Sequence, residues 1–144
     1  MELALAQARM AARHNEVPVG AVVVCNEKVI GRGRNEIVSR KDPTAHAEIL
    51  AMRKAALKLR NERLTGCILY STLEPCAMCA GAAVLARVSE VVYGASDPRA
   101  GACGSALDLS HHAKLNHRFK VTGPVMAKEC GDILKAFFRK KRTR

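Results

Sequence analysis

The sequence predicts an α/β domain of three layers, a sheet with helices packed on both faces. Three observations predict it. Apolar runs of strand length alternate along the chain with stretches of helical periodicity. That alternation never separates into a block of strands and a block of helices, as layered α/β folds require. No repeat, low-complexity segment or Gly/Ser linker divides the 144 residues, which suffice for one core and not for two. Residues 1–144 therefore read as a single domain.

Each element has a local reason. Residues 3–14 are rich in Ala and place Leu3, Ala6 and Met10 on one helical stripe. Pro18 ends that pattern, and residues 19–25 run almost unbroken in apolar side chains, as a strand buried on both faces does. Asn26-Glu27-Lys28 turns the chain into a second strand, 29–35, whose Gly31 and Gly33 suit a sheet edge or a close approach by another element. Asp42-Pro43-Thr44 signals a helix start, and the following helix puts Ile49, Met52, Ala56 and Leu59 on a stripe. Residues 67–72 form a third strand. Glu74-Pro75 opens a helix over 76–86 that is apolar nearly all round and so is expected to be buried. Residues 90–94 give a fourth strand, and 95–105, with two glycines and a proline, a loop. Residues 118–122 alternate basic and apolar side chains as a half-exposed fifth strand. Cys130, Ile133, Leu134, Phe137 and Phe138 then trace one face of an amphipathic closing helix, which favours the core for the Phe137-Phe138 pair, with contact to a binding partner as the alternative.

Composition narrows the class. Hydrophobic residues make up 49% and charged ones 26%, the balance of a globular protein. No apolar run reaches membrane-spanning length, and Arg9 and Arg13 interrupt the N-terminal stretch that a signal peptide would need, so a cytoplasmic location without membrane attachment is expected. The six cysteines then read as reduced thiols, with Cys25, Cys67, Cys103 and Cys130 as packing residues. The net charge of +11 is uneven: residues 99–144 hold 11 Lys/Arg against 3 Asp/Glu, whereas residues 1–98 hold 13 against 10. Such asymmetry favours a polyanionic partner, with a solvated basic tail as the alternative.

Two short segments carry the chemistry: His46-Ala47-Glu48 and Pro75-Cys76-Ala77-Met78-Cys79. Thiolate and imidazole are the ligands zinc prefers. Cys76 and Cys79, three apart at a helix start, face one side, and the free N–H groups there favour thiolate. His46 makes a third ligand. Three protein ligands leave one position for solvent, the pattern of catalytic rather than structural zinc. Glu48, harder than thiolate and two residues from His46, suits proton transfer beside the metal. On an ideal helix residues i and i+2 diverge by about 200°, so His46 and Glu48 can serve one point only if the metal lies off the ends of two helices, beginning near His46 and Cys76. The rival readings are a redox Cys pair and a structural zinc completed by Cys67 or Cys103.

The paired motifs resemble the zinc-dependent nucleobase and nucleoside deaminases of the cytidine and deoxycytidylate deaminase superfamily. Residues 16–22 (Glu-Val-Pro-Val-Gly-Ala-Val), 42–48 (Asp-Pro-Thr-Ala-His-Ala-Glu), 72–76 (Thr-Leu-Glu-Pro-Cys), 94–105 and 115–118 (Leu-Asn-His-Arg) are more specifically similar to the bacterial tRNA adenosine deaminase family. The similarity spans roughly residues 3–138. It implies a cytidine deaminase-like five-stranded mixed sheet, one zinc ion per subunit, a homodimer, and conversion of adenosine to inosine at the first anticodon position of tRNA. It implies further that Asn35, Asp97 and Ala47 meet the substrate, although a strand-capping Asn and a turn-stabilising Asp are open alternatives.

In the implied reaction a metal-activated water attacks C6 of adenine while Glu48 takes its proton and delivers protons to N1 and the leaving amino group. An unpaired anticodon base is cheap to extrude. Phosphate contacts are assigned to Arg99, Lys114, Arg118, Lys120 and the basic run 139–144, with Arg139, Lys140, Lys141 and Arg142 at its heart. Aromatics are few, so stacking is expected to contribute little. His111, His112 and His117 read as a polar surface loop rather than a second metal site. A deaminase of a free base such as guanine or cytosine shares the zinc motifs, and a non-catalytic RNA-binding module is the alternative of a different class.

Overall fold

A computed structural model describes residues 1–143; Arg144, the last residue of the basic run, lies outside them. The elements are α1 (Glu2–Arg13), β1 (Gly20–Cys25), β2 (Lys28–Arg34), α2 (Ile37–Arg40), α3 (Ala47–Leu59), β3 (Cys67–Leu73), α4 (Ala77–Ala86), β4 (Glu90–Ala95), β5 (Lys120–Thr122) and α5 (Ala127–Arg142). The five strands form one sheet in the order β2-β1-β3-β4-β5. β1 runs antiparallel to both β2 and β3, while β3, β4 and β5 are parallel, so the sheet is mixed as expected.

Strand parity separates the layers. Ala21, Val23, Leu69, Val91 and Tyr93 point to the face packed by α3 and α4, where they share a core with Ala47, Ala51, Ala80 and Ala83. Gly20 lies against α1 and Gly94 against Cys130 of α5, on the opposite face. Glycine lets two helices sit unusually close to the sheet. A Cβ on Gly20 would lie 2.0 Å from the Ala4 carbonyl oxygen, and one on Gly31 2.2 Å from that of Ala51.

This close packing corrects the expected helix faces. The stripe Leu3, Ala6, Met10 does not face the sheet: α1 buries Ala4, Leu5, Ala8 and Ala11, and Leu3 is exposed. On α3 Met52 is buried, Ile49 and Ala56 are half-buried and Leu59 is exposed; the sheet-facing side chains are Ala47, Leu50, Ala51 and Ala55. Periodicity picks out the large apolar residues, whereas a helix pressed onto glycine needs small ones.

Other boundaries shift for equally local reasons. Asp42-Pro43-Thr44 does not start a helix: the Asp42 carboxylate accepts bonds from the Thr44 N–H (2.8 Å) and hydroxyl (2.6 Å), closing a turn, and α3 begins at Ala47. The one-turn α2 was not foreseen from the sequence. The fifth strand shrinks to three residues, with Phe119 just before it buried. α4 is not buried all round: Cys79, Ala80, Ala83 and Val84 face inward, but Leu85 is 79% exposed. On α5 only Cys130 is fully buried; Phe137 is half-buried and Phe138 exposed, so the pair is not wholly core.

Candidate active site

The parallel strands deliver the site. β3 ends at Leu73, and after Glu74 and Pro75 the chain enters α4 with Cys76 as N-cap, in extended backbone (φ −73°, ψ 178°). His46 is likewise the N-cap of α3 (φ −74°, ψ 151°). His46 therefore stands outside the helix and Glu48 inside its first turn, which removes the angular conflict between i and i+2. Cys79 follows within the first turn of α4.

The ligand atoms of His46, Cys76 and Cys79 lie within 4.8 Å of one another, and no fourth Cys, His, Asp or Glu joins them among the described residues. His46 Nδ1 is 3.7 Å from Cys76 Sγ and 3.5 Å from Cys79 Sγ. A tetrahedral zinc with its usual N and S bond lengths has N···S edges of about 3.6 Å. The donor set and its spacing thus fit zinc. Cys67 and Cys103 stand apart, each pushed up to about 12, chiefly by burial, and so kept as thiols.

The electrostatics favour the same assignment. Hydrogen bonds from Cys79 and then His46 pull the Cys76 thiol down to about 3, while Cys79, next to that thiolate and buried, is pushed up. A coordinating cation would hold both sulfurs as thiolates. The Cys76 thiolate raises the pKa of His46. Glu48 is 4% exposed, and burial raises its carboxyl above the ordinary range despite contacts with Cys79 and His46 that oppose the shift.

A cavity of about 220 Å³ opens onto these groups. Its walls include His46, Ala47, Glu48, Glu74 and Cys76, and also Asn35, Asp97 and Ala100, with Val17, Val19, Ile37 and Leu73 as the apolar part. That is below the size of drug-sized pockets and suits one planar base. Asn35 is 5% exposed, and its side-chain oxygen has no hydrogen-bond partner in the protein. A buried orphan acceptor on a pocket wall awaits a donor. Asp97 has a structural task as well, since its Oδ1 accepts from the N–H groups of Arg99 (3.1 Å) and Ala100 (3.2 Å).

Two buried carboxylates escaped the sequence reading. Glu16 accepts bonds from the N–H groups of Val38 and Ser39 and so holds α2, whose Ile37 lines the cavity. Glu74, 2% exposed, binds the loop that carries Asp97. Neither has a motif partner at short spacing; the signals were a charged residue embedded among apolar and turn residues, and its place in the family-like segments 16–22 and 72–76.

The basic candidates divide into two groups. Arg99 joins Arg139, Lys141 and Arg142 around a groove of about 740 Å³, with Leu134, Lys135 and Phe138 as its remaining walls. Because Arg99 lies between Asp97 and Ala100, this groove adjoins the cavity wall. Lys140 instead turns toward Ala12 and Asn15 of α1 and its end. Lys114 and Arg118 are exposed elsewhere, and Lys120 pairs with Glu90 at 3.9 Å. His117 donates to the Val88 carbonyl at 2.7 Å, a structural bond, and His111 and His112 are exposed.

The MafB19-like deaminase family matches residues 1–142. A tRNA-specific adenosine deaminase of Haemophilus influenzae is 46% identical over 143 residues, covering 99% of this chain and 83% of its own. A solved structure from work on A-to-I editing by tRNA:A34 deaminases at the wobble position of transfer RNA aligns with TM-score 0.90 and 44% identity, over 93% of this chain and 97% of that one. Guanine deaminase from Bacillus subtilis aligns less well, with TM-score 0.65 and 29% identity over 99% of this chain and 91% of its own.

Proposed function

This chain belongs to the MafB19-like deaminase family, and from that premise we propose that it converts adenosine to inosine at the first anticodon position of tRNA by hydrolytic loss of the 6-amino group. The observation that carries the reading is the cavity itself. A three-ligand zinc-type cluster, a buried carboxyl and an unpartnered Asn oxygen converge on a space for one base, and a cationic groove begins at its wall. A free-base deaminase has no use for that groove.

His46, Cys76 and Cys79 would hold one zinc ion per subunit. When bound, zinc supplies a water acidified toward neutral pH and a positive charge beside C6. The chain's own residues do the rest. Glu48, buried and above its ordinary range, takes a proton as the nucleophile forms and returns it to N1 of the purine. Glu48 then takes the remaining proton from the hydroxyl added at C6 and passes it to the departing amino nitrogen, so the C6–N bond breaks, ammonia leaves and the keto form remains. Asn35 orients the nucleoside through its free oxygen, and Ala47, with no bulk beyond Cβ, leaves room for the base. Asp97 and its loop form the wall toward the ribose and phosphate. Arg99, Arg139, Lys141 and Arg142 take the anticodon-loop phosphates.

We infer that the protein works in the cytoplasm as a homodimer joined through α4. Ala77, Met78, Gly81, Ala82 and Leu85 share one outward face of a helix that carries no charged residue, and such a surface is normally covered. Sedimentation checks this: wild type runs as a dimer and Leu85→Glu as a monomer, whereas a monomeric wild type at micromolar concentration rejects the pairing. No helix among the described residues is long and apolar enough to cross a membrane.

The test of function is ammonia release and inosine formation on an anticodon stem-loop, beside guanine, cytosine and free adenosine. Turnover is expected on the stem-loop alone. Best turnover on guanine would transfer the assignment to the free-base deaminases, and zinc-free protein without inosine would leave an RNA-binding module.

A further inference from the structure

The mechanism leaves one buried carboxylate on the cavity wall without a task. Glu74 precedes Pro75 and Cys76 and is 2% exposed. Its two oxygens accept from four donors, all in one loop: Oε1 from the Asp97 N–H (3.2 Å) and the Ser105 hydroxyl, and Oε2 from the N–H groups of Cys103 (3.1 Å) and Ser105 (3.1 Å). The loop is also pinned to the start of α4, because Ala102 N–H donates to the Pro75 carbonyl (2.8 Å) and Gly101 bridges to Cys76. Gly101 leaves no space beside the carboxylate: a Cβ there would lie 2.4 Å from Glu74 Cδ.

We propose that Glu74 is a positioning residue for the deamination, acting through the loop of residues 97–105. The assignment rests on the deaminase reading above. Only an ionised carboxylate offers two oxygens that accept throughout and donate nothing, so the side chain is matched to a ring of four donors. By holding both ends of the loop from inside, Glu74 fixes the cavity wall at Asp97 and Ala100 and, between them, the place from which Arg99 enters the basic groove. It thereby ties the segment that ends in a metal ligand to the segment that meets the polynucleotide.

The experiment compares wild type, Glu74→Gln and Ser105→Ala as zinc-loaded protein on an anticodon stem-loop. Glu74→Gln keeps the shape but turns an NH₂ group toward two donors. Its kcat/KM is expected to fall about 10–100-fold, the range for partners that orient a site's direct contacts, mainly through KM, with bound zinc unchanged. Ser105→Ala, which removes one donor on an exposed residue, should move the same way by less. The decisive arm is the double variant Glu74→Gln/Arg99→Ala. If the loop places Arg99, the cost of Arg99→Ala shrinks in the Glu74→Gln background, while that of Arg142→Ala on α5 stays the same. Full additivity of Glu74→Gln with Arg99→Ala, or wild-type KM in Glu74→Gln, overturns the assignment. Should Glu74→Gln not fold, an unchanged KM in Ser105→Ala overturns it instead. Absence of inosine with wild type fails the deaminase reading, a separate result.

Discussion

In the catalytic cavity three ligand atoms lie within 4.8 Å, and one buried carboxyl stands beside them. Along α5 the cations at positions 139–142 are all exposed, crowded into the last turn of a 16-residue helix, and none is fixed by an ion pair among the described residues. The first region is enclosed, so each group is held in one place and its loss is not shared. In the second, water screens every charge, and recognition is a sum of weak terms. On the proposed function, chemistry and binding are thus organised on two different physical scales, joined by the loop that carries both Asp97 and Arg99.

The sharpest way to break this contrast is Glu48→Gln. Removing the proton carrier while keeping its volume should lower kcat by about 10²–10⁴-fold, the span of general acid–base catalysis, with zinc content unchanged by metal analysis. Undiminished turnover would remove Glu48 from the reaction. Chelation tests the same region from the other side. Zinc binds only the folded ligand set, so stripping it should abolish inosine formation and lower the melting temperature, and restored zinc should recover both. A melting temperature indifferent to chelator would mean the sulfurs hold no metal.

Asn35→Ala is expected to cost less: it removes a carboxamide whose oxygen has no protein partner, while the backbone N–H of residue 35 still donates to the Val19 carbonyl at 3.0 Å. One buried hydrogen bond to substrate corresponds to about 10–100-fold in kcat/KM. The circular dichroism and melting of this variant should match wild type. A loss of stability equal to the loss of activity would instead identify Asn35 as a strand cap.

The same contrast in scale decides what could be read from the sequence. His46, Glu48, Cys76 and Cys79 were legible because spacing of two and three residues at helix starts is itself geometry. The three-layer arrangement was reachable from the alternation of strands and helices, whereas the strand order was not, because it depends on which distant segments pair. Helix faces were not, because the alanines of α1 and α3 face the sheet only where Gly20, Gly31 and Gly33 admit them, and that pairing joins segments far apart in the chain. Glu16 and Glu74 were missed for the same reason, since each serves backbone N–H groups more than twenty residues away. The outward side of α4 read as core because it carries no charged residue, and composition alone does not tell an outward apolar face from an inward one.

The basic surface gives the smallest single effects and the finest test of the comparison. Salt dependence counts phosphate contacts, each adding about 0.7 to the slope of log affinity against log salt for a single strand. Arg99, Arg139, Lys141 and Arg142 share one groove, whereas Lys114, Arg118 and Lys120 lie apart from it. Arg139→Ala and Arg142→Ala should therefore each weaken stem-loop binding only a few-fold and flatten the slope by roughly that unit, with kcat at saturating RNA unchanged. Lys114→Ala and Arg118→Ala should leave slope and affinity as they are. If the two sets flatten the slope equally, the polynucleotide crosses the molecule more widely than the groove, and proximity to the Arg99 loop is not what selects its path. If a single α5 change abolishes turnover as Glu48→Gln does, the helix belongs to the enclosed region after all, and the division between the two scales disappears.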